Sequence, residues 1–302
     1  MSEGGFSLSL KSALPQIETI VAEAAGRFGV AARDLATGET IEINGQEHYP
    51  LASVFKIVTL VELFRQADSG RLELDQRVAF DIADRMPGSG VLVGLTPGFS
   101  LTLRDYATLM IIVSDNSATD KVMAAVGRHS LNQTLRQLGL AGISVSRTCG
   151  QILASLAGME VETPTPDEVA EVIKRLQAGE SSEATWAFAE TEENNVATPV
   201  AMVELLAMIH GGRVASAAAC AGMIDILRRQ QFKQRLPLYL PPKVTTAHKT
   251  GTLPGVVNDA GLIYLPNDKV CAVAVLSKQG ADRALGSAAI GRIGLAIYEA
   301  LA

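Results

Sequence analysis

The chain has 302 residues, with 26 Lys plus Arg against 32 Asp plus Glu, a formal net charge of −6 and 48% hydrophobic residues. That composition excludes a disordered chain, and its acidic balance offers no basic field to a phosphate backbone, so nucleic acid is not an expected partner. The length suits one large domain or two lobes around shared cores, and no repeat or flexible linker interrupts it.

The first residues, Met1-Ser2-Glu3-Gly4-Gly5, have neither the cationic start nor the apolar stretch of a secretory signal, which makes a cytoplasmic location the expectation. A helical pattern from Leu14 to Ala25 is followed by alternation from Gly29 to Ile43 that breaks at Ala36-Thr37-Gly38, as in a hairpin. From Ser53 to Gln66 the apolar residues, among them Phe55, Ile57, Val58, Leu60 and Phe64, leave almost no polar face, so this helix is expected at the centre of a lobe. Helix starts with capping chemistry follow at Thr102 and at Thr165-Pro166-Asp167-Glu168, another helix ends at Gly139, and a further one runs from Thr198-Pro199 to Gly211-Gly212. Strand patterns return at Val244–Thr250, Val257–Leu265 and Lys269–Leu276, the last two separated by a Pro-Asn-Asp turn, before a closing helix to Ala302.

The expected fold is therefore α+β. An antiparallel sheet built from both ends of the chain, 1–46 and 214–302, is flanked by helices, with an all-α lobe, 47–213, inserted and a cleft between the lobes. Apolar runs such as Val270–Leu276 fall far short of the roughly 20 residues that cross a bilayer, so no membrane partner is expected, and a monomer is the default. Cys149, Cys220 and Cys271 are isolated and read as buried free thiols. His48, His129, His210 and His248 lack metal-ligand spacing; neither a metal nor another cofactor is called for.

Three short motifs carry chemistry. Ser53-Val54-Phe55-Lys56 puts a hydroxyl and an amine on one face at the start of the central helix. A serine needs a base to become a nucleophile, and a lysine serves once burial or another cation favours its neutral amine. Ser114-Asp115-Asn116 follows an apolar stretch and offers a proton-relaying hydroxyl and an amide, and the turn Gly88-Ser89-Gly90 before it is expected to form one rim of the site without chemistry of its own. His248-Lys249-Thr250-Gly251-Thr252 ends a strand, with a lysine and two hydroxyls available to a cleft and a glycine that admits a close approach; His248 is expected to point away from it.

Taken alone, each motif reads as a cap, a turn or a strand end. Their order, with Ser114 lying 61 residues after Ser53 and Lys249 a further 135 on, matches the SxxK, SDN and KTG set. The chain resembles the class A β-lactamases and the penicillin-binding proteins and serine hydrolases that share their fold, from about residue 14 to 302. Thr198-Pro199-Val200-Ala201-Met202 is similar to the family's helix after its omega loop. The resemblance implies a serine acyl-hydrolase acting on a small acyl substrate, a β-lactam, amide or ester. Ser53 would be the acylated nucleophile, Lys56 its base, Ser114 the proton shuttle to the leaving group, and Lys249 the source of a positive field. Asn116 would bind the acyl side chain, the backbone N–H groups of Ser53 and Thr252 would form an oxyanion hole, and Thr250, Gly251 and Thr252 would contact the substrate, the two threonines through its carboxylate. The alternatives are a binding or sensor protein that is acylated without turnover, a carboxylesterase or a D,D-peptidase.

The sequence departs from that family in two places. Class A enzymes deacylate with an omega-loop glutamate; counted from Val145-Ser146-Arg147, its position falls near Ile152, and Glu190 with Asn194 is the substitute pair that spacing offers. On the strand after the KTG motif, where many class A enzymes carry an arginine for the substrate carboxylate, the chain has Val257-Asn258-Asp259-Ala260-Gly261, leaving Arg283 as the basic candidate. Efficient β-lactam turnover is accordingly not expected.

Overall fold

The computed structural model describes residues 9–180, 185–266 and 268–302; the Met1–Gly5 stretch and Asn267 of the expected Pro-Asn-Asp turn lie outside them. Helix α1 (Leu14–Glu23) precedes the hairpin β1 (Arg27–Asp34) and β2 (Thr40–Ile43), whose turn uses Gly38 at φ +79°. A short strand β3 (Tyr49–Pro50) and one turn of tight helix (Ala52–Phe55) lead into α2 (Lys56–Asp68). The strands β4 (Arg77–Phe80) and β5 (Phe99–Thr102) pair with each other. Helices α3 (Leu103–Ile112), α4 (Asn116–Val126) and α5 (Arg128–Gln137) follow, then β6 (Ile143–Ser144), α6 (Cys149–Leu156), α7 (Pro166–Gln177), β7 (Val196–Ala197), α8 (Pro199–His210) and α9 (Ala217–Arg228). The chain closes with β8 (Thr245–Leu253), β9 (Val256–Tyr264), β10 (Val270–Lys278) and α10 (Arg283–Leu301).

The expected antiparallel sheet from both chain ends is present, ordered β2-β1-β10-β9-β8. Because side chains alternate along a strand, the sheet divides two cores. Phe28, Val30, Val257, Ile263, Val273 and Val275 face a core shared with α1 and α10. The intervening Ala31, Ala260, Leu262, Ala272, Ala274 and Leu276 face a larger one shared with α2, α3, α4 and α8. Residues buried on both faces explain why β10 reads as an unbroken apolar run from Val270 to Leu276.

The segment 47–213 is not wholly helical. It contains the pair β4–β5 and a small sheet ordered β3-β7-β6, whose strands are two residues each and too short to carry a period. Apolar runs also understate α10: broken by Arg292 and Glu299, it is by length and composition long enough to cross a bilayer, and 56% of its apolar window is buried inside this fold.

Candidate active site

Lys56 lies at the end of the tight turn Ala52–Phe55, and its side chain is 0% exposed. Its Nζ donates to the Ser114 carbonyl at 2.8 Å, to Ser114 Oγ at 3.2 Å and to Asn116 Oδ1 at 2.8 Å, which ties the first two motifs together. Burial pushes the Lys56 amine below its ordinary range, while Cys149, Asp120 and Asp115 pull it the other way. Two residues here hold left-handed backbone without being glycine, Ala52 at φ +45° immediately before Ser53 and Ser114 at φ +56°. Such conformations cost about 1–3 kcal/mol each and persist where surrounding packing fixes them.

The third motif reaches Ser53 through β8. A Cβ on Gly251 would lie 2.5 Å from the Leu51 carbonyl and 3.1 Å from Ser53 N, so only glycine permits this approach of strand to turn. Asn258 on β9 fixes the same spacing, donating from Nδ2 to the carbonyls of Pro50 (2.8 Å) and Leu51 (3.1 Å) while its Oδ1 accepts from Ser277 N (2.7 Å). Lys249 is 0% exposed and donates to the Thr250 carbonyl at 2.7 Å. Burial first, and then the positive charge of Lys56, hold its amine well below the ordinary lysine range.

A cavity of about 1020 Å³ opens over these groups and is lined by Ser53, Ser114, Asn116, Thr250 and Thr252. Lys56, Lys249 and Gly251 stand behind that lining. His248 does point away, its Nδ1 lying 2.9 Å from Asp259 Oδ1 with both side chains 0% exposed. The Asn116 amide is not free: Nδ2 donates to the Pro87 carbonyl at 2.8 Å, so Asn116 anchors the loop that forms one wall.

The loop Gly88-Ser89-Gly90 forms one rim of the cavity, as its sequence position suggests, but its chemistry and two further site residues, Arg235 and Cys149, escaped the sequence reading. Ser89 lines the cavity, and its hydroxyl donates to the Ser114 carbonyl at 2.7 Å. Arg235, 5% exposed, donates from Nη1 to the carbonyls of Gly251 (2.6 Å) and Asn258 (2.5 Å) and from Nη2 to Thr252 Oγ1, placing a guanidinium beside the third motif. Asp259, where a basic residue was sought, instead accepts from Leu236 N at 3.1 Å, next in sequence to Arg235. Arg283 also lines the cavity.

Cys149 is the second. Ile152 does line the cavity, but the group beside Lys56 from this segment is the Cys149 thiol, three residues earlier at the start of α6. Asp120 holds it there, its two oxygens accepting from Cys149 N (2.7 Å) and Gly150 N (2.9 Å). Burial lifts the thiol to about 12 and Asp120 to about 6. Glu190 and Asn194 are not part of the lining: Glu190 accepts from Lys278 Nζ at 2.7 Å, and Asn194 donates to the Ala187 and Ala189 carbonyls. A neutral thiol therefore stands beside Lys56, while the paired carboxylate is elsewhere.

A family model described as "Beta-lactamase enzyme family" matches residues 13–301. Beta-lactamase CARB-3 of Pseudomonas aeruginosa is 27% identical over 164 residues, 54% of this chain and 57% of that protein. The chain spans about half the length of the curated relatives it matches. A beta-lactamase structure from Sphaerobacter thermophilus DSM 20745 is 30% identical with a TM-score of 0.77, covering 94% of this chain and 95% of that one. A mutant of PBP-A, in an acyl-enzyme complex with penicillin G, is 26% identical with a TM-score of 0.75 over 97% of each chain.

Proposed function

Because the chain belongs to the beta-lactamase enzyme family, we propose that it is a serine acyl-hydrolase acting through an acyl-Ser53 intermediate on a β-lactam, amide or ester. The observation that carries this reading is the buried Lys56 amine, bonded to Ser114 and Asn116 one helical turn from a serine that lines the cavity. Burial favours the neutral amine, which can take the Ser53 proton as Oγ attacks the acyl carbon. Ser114 Oγ, 3.2 Å from Lys56 Nζ, passes a proton to the departing nitrogen or oxygen. The N–H groups of Ser53 and Thr252 receive the oxyanion, each such donor contributing about 2.7–4 kcal/mol in a serine hydrolase. Arg235 and Thr252, joined by a hydrogen bond beside Gly251, take a substrate carboxylate.

Cys149 favours slow release of that acyl group. A thiol held near 12 does not draw a proton from water at neutral pH, so the acyl-enzyme accumulates and the protein behaves close to a stoichiometric binder. The acyl-enzyme captured for the PBP-A mutant, similar over nearly the whole chain, supports an acyl-Ser53 state. Incubation with penicillin G, a chromogenic cephalosporin and an aryl ester, read by mass spectrometry, is expected to give one acyl group per chain on Ser53, with a burst followed by slow turnover. Absence of any adduct defeats the proposal; a fast steady state abolished by Ser53→Ala defeats the slow-release part alone.

A further inference from the structure

The cavity continues well past the reacting groups, and its far end combines two chemistries. Arg235 and Arg283 both line it, with Asp282 the one carboxylate among its described lining residues. Asp282 Oδ1 is committed to the start of α10, accepting from Ala284 N (2.9 Å) and Leu285 N (2.8 Å). Arg283 is exposed, and among the described residues nothing pairs with its guanidinium. It occupies the first turn of α10, where the positive end of the helix dipole disfavours a cation. Burial, opposed by Asp259, and then the positive charge of Arg283 hold Arg235 down to about 10, so the two cations sense each other.

The remaining surface of this end is apolar. Phe232 and Leu238, 36% and 40% exposed, stand in the lining with Ala284 and Ala288. A smaller cavity of about 450 Å³ lies alongside and shares Thr252, Leu253, Asp282 and Arg283 with the first. Two like charges bordering one cavity repel, and an occupant with a single carboxylate can pair with only one of them.

We propose that this end is a leaving-group subsite for an acyl donor carrying two carboxylates on an apolar body, one held by Arg235 and Thr252 and the other by Arg283, with Phe232 and Leu238 against the body. The assignment rests on acylation of Ser53 as proposed above. Ser53 Oγ bonds to the acyl carbon, the bond from that carbon to the leaving oxygen breaks, and the Ser53 proton travels through Lys56 and Ser114 to the departing oxygen.

Three esters of one acyl group test it, with phenol, meta-hydroxybenzoate and hydroxyisophthalate as leaving groups, by measuring the acylation rate of Ser53. The expected order is isophthalate over benzoate over phenol, and Arg283→Ala is expected to lower the isophthalate-to-benzoate ratio about tenfold. The same ratio in both proteins overturns the subsite. If not even the phenyl ester labels Ser53, the acylation reading has failed separately, and calorimetric binding of free isophthalate against benzoate decides the subsite. A preference for isophthalate that disappears in Arg283→Ala sustains it; equal binding of both ligands to the wild-type protein overturns it.

Discussion

Lys56 and Cys149 face each other and divide the proposed chemistry between them, one serving acylation and the other withholding release. Removing the amine by Lys56→Ala is expected to slow acylation of Ser53 by about 10²–10⁴-fold, as loss of a general base does, measured as the rate of adduct formation. In the wild-type protein that rate should climb with pH, because the depressed Lys56 pKa means the reactive neutral amine is gained as pH rises through it. A rate that falls over the same interval would contradict the assignment. Cys149→Glu places a carboxylate where the thiol stands and is expected to speed release of the acyl group at least tenfold, read from the steady-state phase after the burst. Ser53, Lys56, Ser114, Thr250 and Thr252 were legible in the sequence because their motifs combine local spacing with a fixed order along the chain. Arg235 was not, and of Ser89 only the place of its loop at the rim was. Their bonds reach partners 17 and 25 residues away, at Thr252 and Ser114, which no local pattern announces. Cys149 was missed because counting from Arg147 cannot foresee that Asp120 pins the start of α6 by two backbone N–H groups.

At the scale of elements, the site depends on how closely β8 and β9 approach the turn before α2. Asn258 spans that contact with three hydrogen bonds, all buried. Asn258→Ala leaves two carbonyls and an N–H without these partners and is expected to cost about 2–4 kcal/mol, since each buried orphan costs on the order of 1–3 kcal/mol and some recover water. Denaturant unfolding measures that loss, and slower acylation should accompany it because the Ser53 and Thr252 N–H groups lose their common frame. The long strands and the capped helices were readable from period and punctuation: Thr102, Thr165 and Thr198 each cap the helix that follows. Helices α4, α6 and α9 were not anticipated as separate elements. Asn116, Cys149 and Ala217 begin them without the Pro and acidic first turn that mark α7.

Across the molecule, one sheet serves two cores, so β1, β9 and β10 cannot leave either core without exposing the other. Trp186, which packs against the larger core, and α10, which helps build the smaller, should therefore lose structure together. Coincident transitions by tryptophan fluorescence and by hydrogen exchange along α10 are expected; an early, separate loss of α10 protection would show the cores to be independent. The three thiols give that architecture a practical use. Cys220 and Cys271 are 3% and 0% exposed and belong one to each core, so a thiol-specific label reaches them as the respective cores open. Cys149 is also nearly covered, at 4%, yet it borders the cavity that an acyl group on Ser53 would fill. Labelling of Cys149 in the folded protein thus becomes a gauge of occupancy, slowed when the cavity is loaded, while Cys220 and Cys271 keep time for unfolding in the same sample.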